Sequence, residues 1–181
     1  CTTAAAVVTI GVQQGIVLAV VLSVLELLRR QYRPKNFVVS VDEGGQPTYR
    51  PAAPGVQSLP GLVVFRYDAD LFYANAHRFA DDVEGIVQAA PEPVRLLVLD
   101  CSSIVDADYS ASLALDGLID FVHAHGAHFG ITRADPALLA SLGTYGLLDK
   151  FGRDHVFGNL GDVFAAYRKD PSRYRGPTAA A

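Results

Sequence analysis

The stretch Leu97–Leu118, LVLDCSSIVDADYSASLALDGL, decides how this chain is read. Its first residues continue an apolar run that begins at Val94, and a run without polar alternation fits a central strand covered on both faces. The run stops at Asp100-Cys101, and a loop follows that contains Asp106 and Asp108. From Ser110 to His125 the residues Ala111, Ala114, Leu115, Leu118 and Val122 recur at helical spacing. Gly126 then stops the pattern. A buried strand, an acidic loop and an amphipathic helix in that order make one unit of an α/β domain with parallel strands.

The same alternation extends in both directions. Upstream, Gly61–Tyr67 (GLVVFRY) is β-branched and aromatic and reads as a strand. Leu71–Tyr73 reads as a short strand after an Asp68-Ala69-Asp70 turn. Asn75 is placed to cap a helix. In that helix Phe79, Val83, Ile86 and Val87 share one face, while Arg78, Asp81, Asp82 and Glu84 face away, and Pro91 and Pro93 end it. Downstream, Ala127–Thr132 reads as a strand. Asp135-Pro136 opens a short helix through Leu142, closed by Gly143. Tyr145–Phe151 reads as another helix and His155–Phe157 as a fourth strand. Asn159 caps a last helix to about Lys169, with Asp162 in its first turn. The tail after Pro171 reads as disordered.

The expected fold class is therefore α/β: a small mixed sheet with largely parallel strands and four to five helices, preceded by an apolar segment. Residues 34–60 read as a linker with the first strands, rich in Pro and Gly. Within it Phe37–Val41 is a short strand, Glu43-Gly44-Gly45 a turn and Gln46–Arg50 a partner or edge strand. Residues 61–170 form the domain proper, and 171–181 the tail.

The N-terminal region has a different character. From Thr2 to Leu25 there is no Lys, Arg, Asp or Glu. Spanning a bilayer takes about 20 apolar residues as helix, so residues 1–33 are long enough for membrane-spanning structure. Gly11, Gln13, Gln14 and Gly15 interrupt the run. The expectation is the end of one membrane segment (Thr2–Val12), a break, and a final short segment (about Gly15–Leu28). Arg29, Arg30, Arg33 and Lys35 follow within seven positions. Such a cluster marks a membrane interface and puts the following domain on the cytoplasmic side. A buried helix of a soluble protein is the competing reading, but Ile16–Leu25 offers only Ser23 as a polar residue.

Composition narrows the function classes. The 181 residues carry a net charge of −4, which argues against a nucleic-acid binder with its basic face. Cys1 and Cys101 make no disulfide framework. The chain has no Met and reads as a fragment or processed product. No phosphate-binding glycine loop appears, so no cofactor is expected and no catalysis. His123, His125 and His128 cluster around Gly126, but they straddle a helix end and a strand start, and no metal site is expected from them. Cys101 reads as a small buried thiol. The acidic pairs Asp81-Asp82 and Asp68/Asp70 read as solvated surface.

The loop Asp108-Tyr109-Ser110-Ala111, with the strand before it and the Leu-rich helix after it, resembles the STAS domain. That family is shared by anti-sigma-factor antagonists and the C-terminal regions of SulP-type anion transporters. Asp108 and Ser110 match its pattern, whereas Ala111 stands where Gly is usual. Pro60–Arg66, Leu71–Ala76 and Gly146-Leu147-Leu148 resemble the transporter type. Gln14-Gly15-Ile16 and Arg29–Pro34 are similar to the last membrane segment of SulP transporters and its exit.

The resemblance implies a cytoplasmic regulatory domain of a multi-pass secondary anion transporter of the cell membrane, with sulfate the leading substrate and bicarbonate or a dicarboxylate the alternatives. Its implied partners are the transporter's membrane domain, a second copy through that domain, and a cytoplasmic protein. The resemblance also admits weak nucleotide binding, which has been proposed for some such domains. The rival is a free-standing regulator of the antagonist type, switched by phosphorylation of Ser110. A phosphate there meets the free N–H groups of a helix start, though Asp106 and Asp108 repel it. The plain alternative is that Asp108 or Ser110 caps the helix.

Overall fold

The computed structural model describes residues 12–32, 35–42 and 44–174. The chain divides into two compact units, residues 1–34 and 35–181.

Among its described residues the first unit has one helix, α1 (Val12–Tyr32, 21 residues). It runs without interruption through Gln13, Gln14 and Gly15, so the break expected there is absent. Glutamine is a good helix former, and one interior glycine costs only about 1 kcal/mol. Among the described residues no helix is long and apolar enough to cross a membrane. The uncharged apolar centre of α1, Ile16–Leu25, rises about 15 Å. That centre is nonetheless bare, with Ile16, Val17, Leu18, Val20, Val21, Leu22, Val24 and Leu25 all exposed. Arg29 and Arg30 fall in the last turn, with side chains outside the described residues. Arg33 and most of the Thr2–Val12 segment also lie outside them. Lys35 is exposed.

The second unit is built on a six-stranded sheet of order β2-β1-β3-β4-β5-β6. The strands are β1 (Asn36–Val41), β2 (Pro47–Pro51), β3 (Leu62–Tyr67), β4 (Leu96–Asp100), β5 (His128–Thr132) and β6 (Val156–Phe157). β3 to β6 run parallel; β1 is antiparallel to both β3 and β2. Every residue of β4 is buried, as its unbroken apolar run predicts. β2 is exposed along its length and begins and ends in proline, which suits an edge strand.

The helices are α2 (Ala76–Gln88), α3 (Tyr109–Ala124), α4 (Pro136–Thr144), α5 (Leu147–Phe151) and α6 (Leu160–Lys169). The first four cover one sheet face. Val63, Phe65, Leu97, Leu99, Phe129 and Ile131 meet Phe79, Val83, Leu115 and Leu118 there. The opposite face carries Leu62, Val64, Leu96 and Val98, covered by Val163, Phe164 and Tyr167 of α6. Alternate residues of β3 thus serve two cores. The turn into β3 requires Gly61, whose φ is +80° and whose missing Cβ would sit 2.5 Å from the Tyr167 hydroxyl.

Four local expectations are corrected. Leu71–Tyr73 is not a strand, since only one bridge, Leu71 to Ala107, forms there. Asn75 precedes α2 but makes no side-chain cap. Its Oδ1 accepts from Phe72 N (3.0 Å) and its Nδ2 donates to Asp70 O (2.9 Å), so the amide is spent on the preceding turn. The chain beyond Pro171 is ordered through a 3-10 turn, Pro171–Tyr174, because Tyr174 buries against Tyr167 with ring centroids 5.8 Å apart. Gly143 also lies inside α4 rather than closing it.

Candidate functional site

The polar residues singled out in the sequence gather at the C-terminal ends of β3, β4 and β5. The chain leaves β4 at Asp100, turns through Ser102 and Ser103, and enters α3 at Tyr109. Asp108 caps α3, its Oδ1 accepting from Ala111 N at 2.7 Å. Its other oxygen accepts from Tyr73 N at 3.1 Å. One carboxylate therefore fixes both the start of α3 and the loop before α2. Asp106 Oδ1 accepts from Ala107 N (2.8 Å) and from the Ser141 hydroxyl (3.0 Å), joining the loop to α4.

Ser110 sits in the first turn of α3, exposed. Its hydroxyl caps nothing; that work falls to Asp108. The two alternatives for the cap are thus separated by geometry. Asp108→Ala loses the cap and the Tyr73 anchor together, and urea unfolding should show a loss of about 1–2 kcal/mol. Ser110→Ala should change stability by less than about 0.5 kcal/mol, as exposed substitutions do.

Three residues that the sequence did not single out complete the site. Asp100 has no exposed surface. Arg133, just past β5, donates Nε to Asp100 Oδ1 at 2.9 Å and Nη2 to Oδ2, a bidentate pair. The hydrogen bond to Asp100 raises the Arg133 pKa further above its ordinary value. Arg66 of β3 brings Nη1 to 3.8 Å from the same carboxylate and 2.8 Å from the Ser102 hydroxyl. Its Nη2 reaches Ser103 Oγ (2.9 Å) and Asp68 Oδ1 (3.1 Å). The Tyr49 ring of β2 lies beneath Arg66, 5.4 Å from ring centroid to guanidinium carbon. Arg133 holds φ at +55°, the one non-glycine positive φ among the described residues. The available signal was Asp100 itself, a lone carboxylate closing an otherwise apolar strand.

The acidic pairs are not simply solvated. Asp68 accepts from Arg66 and from Ser103 Oγ (2.9 Å), and the Arg66 bond foremost holds its carboxyl below the ordinary 3.8. Asp70 Oδ1 accepts from Val105 N at 3.0 Å. Asp82 accepts from Asn36 Nδ2 at 2.6 Å, tying α2 to the start of β1, and burial raises its pKa.

The remaining candidates do not converge. Among the described residues no group of His, Cys, Asp and Glu is arranged to hold a metal. His125 Nδ1 lies 2.8 Å from Phe121 O, and the His128 ring lies against His155 at 5.0 Å. Cys101 is free and buried, and desolvation pushes its thiol far up. Only the thiolate attacks electrophiles. Iodoacetamide should therefore leave Cys101 unmodified in the native protein and label it in urea, as peptide mapping would show.

A six-stranded mixed sheet with an acidic loop feeding an exposed serine at a helix start defines the class, and comparison with known proteins agrees. Residues 53–163 match the model of the STAS domain. A Mycobacterium tuberculosis protein named Probable sulfate transporter Rv1739c is 39% identical over 168 residues, covering 92% of this chain and 30% of its own length. The inward-facing structure of murine Solute Carrier 26 family member A9, an anion transporter, superposes with a TM-score of 0.68 at 18% identity. That match covers 87% of this chain and 26% of the transporter. An anti-sigma factor antagonist from Mycobacterium paratuberculosis superposes with a TM-score of 0.50 at 19% identity, covering 65% and 98%. The chain belongs to the STAS domain family, with homology to sulfate transporters. It spans under a third of the length of the sulfate transporters it matches.

Proposed function

We propose that this chain is the regulatory STAS portion of a SulP-type secondary anion transporter that takes up sulfate, and that it performs no catalysis of its own. The observation that carries the reading is the likeness to a probable sulfate transporter along 92% of the chain, α1 included. The bare apolar surface of α1 supports it, because a stripe of that size needs lipid or neighbouring helices around it. The basic cluster Arg29, Arg30, Arg33 and Lys35 supports a cytoplasmic position for the second unit. On this reading the membrane domain is the principal partner, and a homodimer forms through it. Fractionation of native cells tests the membrane assignment. The intact protein is expected in the membrane fraction, released by detergent but not by salt or alkali; recovery in the soluble fraction would overturn the reading.

The exposed Ser110 favours a second reading, a free-standing antagonist switched by phosphorylation. A helix start can hold a phosphate, and Ser110 is accessible. Against it, Asp108 beside the hydroxyl repels the added charge, and α1 has no role in a free-standing regulator. Mass spectrometry of the native protein across growth conditions decides it. Phosphoserine at position 110 supports the switch, and its consistent absence removes it.

A further inference from the structure

The loops around the start of α3 carry an exposed apolar group that neither core uses. Tyr73 is 69% exposed, Val105 62%, Tyr109 64%, Leu113 55% and Tyr145 41%. They are fixed as neighbours. Tyr73 N donates to Asp108, the cap of the helix that begins with Tyr109. The Tyr109 and Tyr145 rings lie 6.2 Å apart. Leu113 follows Tyr109 one turn later on the same helix face. Val105 N donates to Asp70, in the loop that leads to Tyr73. Apolar side chains grouped in this way on a surface mark an interaction site.

Charge decides what fits it. Asp70, Asp106 and Asp108 lie in the same loops, all exposed. None of the three takes part in an ion pair among the described residues. Their protein donors are backbone N–H groups and the Ser141 hydroxyl. For Asp70 and Asp106 those donors occupy Oδ1 only. Tyrosine faces attract cations as well, by about 0.5–1 kcal/mol at an exposed site. Unpaired carboxylates interleaved with tyrosines suit guanidinium and ammonium groups on a partner, and the apolar side chains suit the aliphatic stems that carry them.

We propose that this surface docks an arginine- or lysine-rich peptide segment of a partner protein. The proposal rests on the surface alone and does not depend on which anion, if any, the transporter moves.

Fluorescence anisotropy with a labelled nona-arginine peptide tests it on the full chain in detergent. Two pairs of substitutions probe the surface. Tyr109→Ser with Tyr145→Ser leaves the charge unchanged, and Asp70→Asn with Asp106→Asn keeps every acceptor while removing two charges. A control pair, Glu92→Gln with Asp162→Asn, removes the same charge outside these loops, one before β4 and one on α6, which covers the opposite sheet face. Each surface pair should weaken binding at least tenfold, and the control pair should change it less than twofold. Absence of binding by the unaltered protein would overturn the proposal. So would equal loss from the control pair, which would mean general acidity, or no loss from the tyrosine pair. Melting curves of all three variants show that they fold, and the two surface pairs fail independently.

Discussion

Arg133→Ala lowers the free energy of unfolding by about 3 kcal/mol in urea titration, the low end of what breaking a buried ion pair costs. The loss comes from Asp100, which keeps its charge in a place without exposed surface. Arg66 Nη1, 3.8 Å away, is the remaining cation and stays engaged with Ser102, Ser103 and Asp68. It therefore offsets only part of the loss. Arg133→Gly is expected to be about 1 kcal/mol less damaging than Arg133→Ala, because glycine adopts positive φ without the Cβ clash. The ordering of the two variants matters as much as the magnitude. If alanine were better tolerated than glycine, the φ of +55° would not be a source of strain.

Phe79→Ala is expected to cost about 4 kcal/mol, within the usual range for emptying a buried phenylalanine site. Phe79 has no exposed surface and packs edge-on against Tyr67 and Phe65, with centroids 5.2 and 5.9 Å away. It joins α2 to β3, so the cavity opens between helix layer and sheet. A midpoint shift with unchanged denaturant slope would show that the cost is in stability. A loss under about 1.5 kcal/mol would mean that the α2 layer collapses into the gap, as volume-conserving repacking does.

The elements with a strong local pattern were legible in the sequence. The unbroken apolar run before Cys101 predicts β4, and the Phe79, Val83, Ile86 and Val87 face predicts α2. Asp135 and Asn159 cap their helices through their side-chain oxygens, as their positions predict. What escaped reading depends on distant partners. Asn75 has the right type and place for a cap, yet Phe72 N and Asp70 O claim its amide. The order of Pro171–Tyr174 comes from Tyr167, seven positions earlier and one helix away, and no local pattern announces it. Gln13-Gln14-Gly15 looked like a break because glycine and polar residues interrupt an apolar run, but all three tolerate helix, and α1 continues through them.

The site was half legible. Asp106, Asp108 and Ser110 were visible because they crowd one loop between a strand and a helix. Of the two capping alternatives Asp108 holds: it caps and anchors, Asp106 braces α4, and Ser110 is left exposed. Arg66 and Arg133 were invisible because one lies on β3 and the other just past β5, 67 positions apart in sequence, and they meet only through Asp100. A parallel sheet brings such residues together at its C-terminal edge, which is a property of topology rather than of spacing.

The most direct test of the transporter reading is anion uptake by the full-length protein that contains this chain, reconstituted into liposomes. Saturable uptake of radiolabelled sulfate above that of protein-free vesicles is expected, altered when residues 35–174 are deleted. Absence of flux for sulfate, bicarbonate and dicarboxylates alike, from protein shown to be inserted and folded, would contradict it.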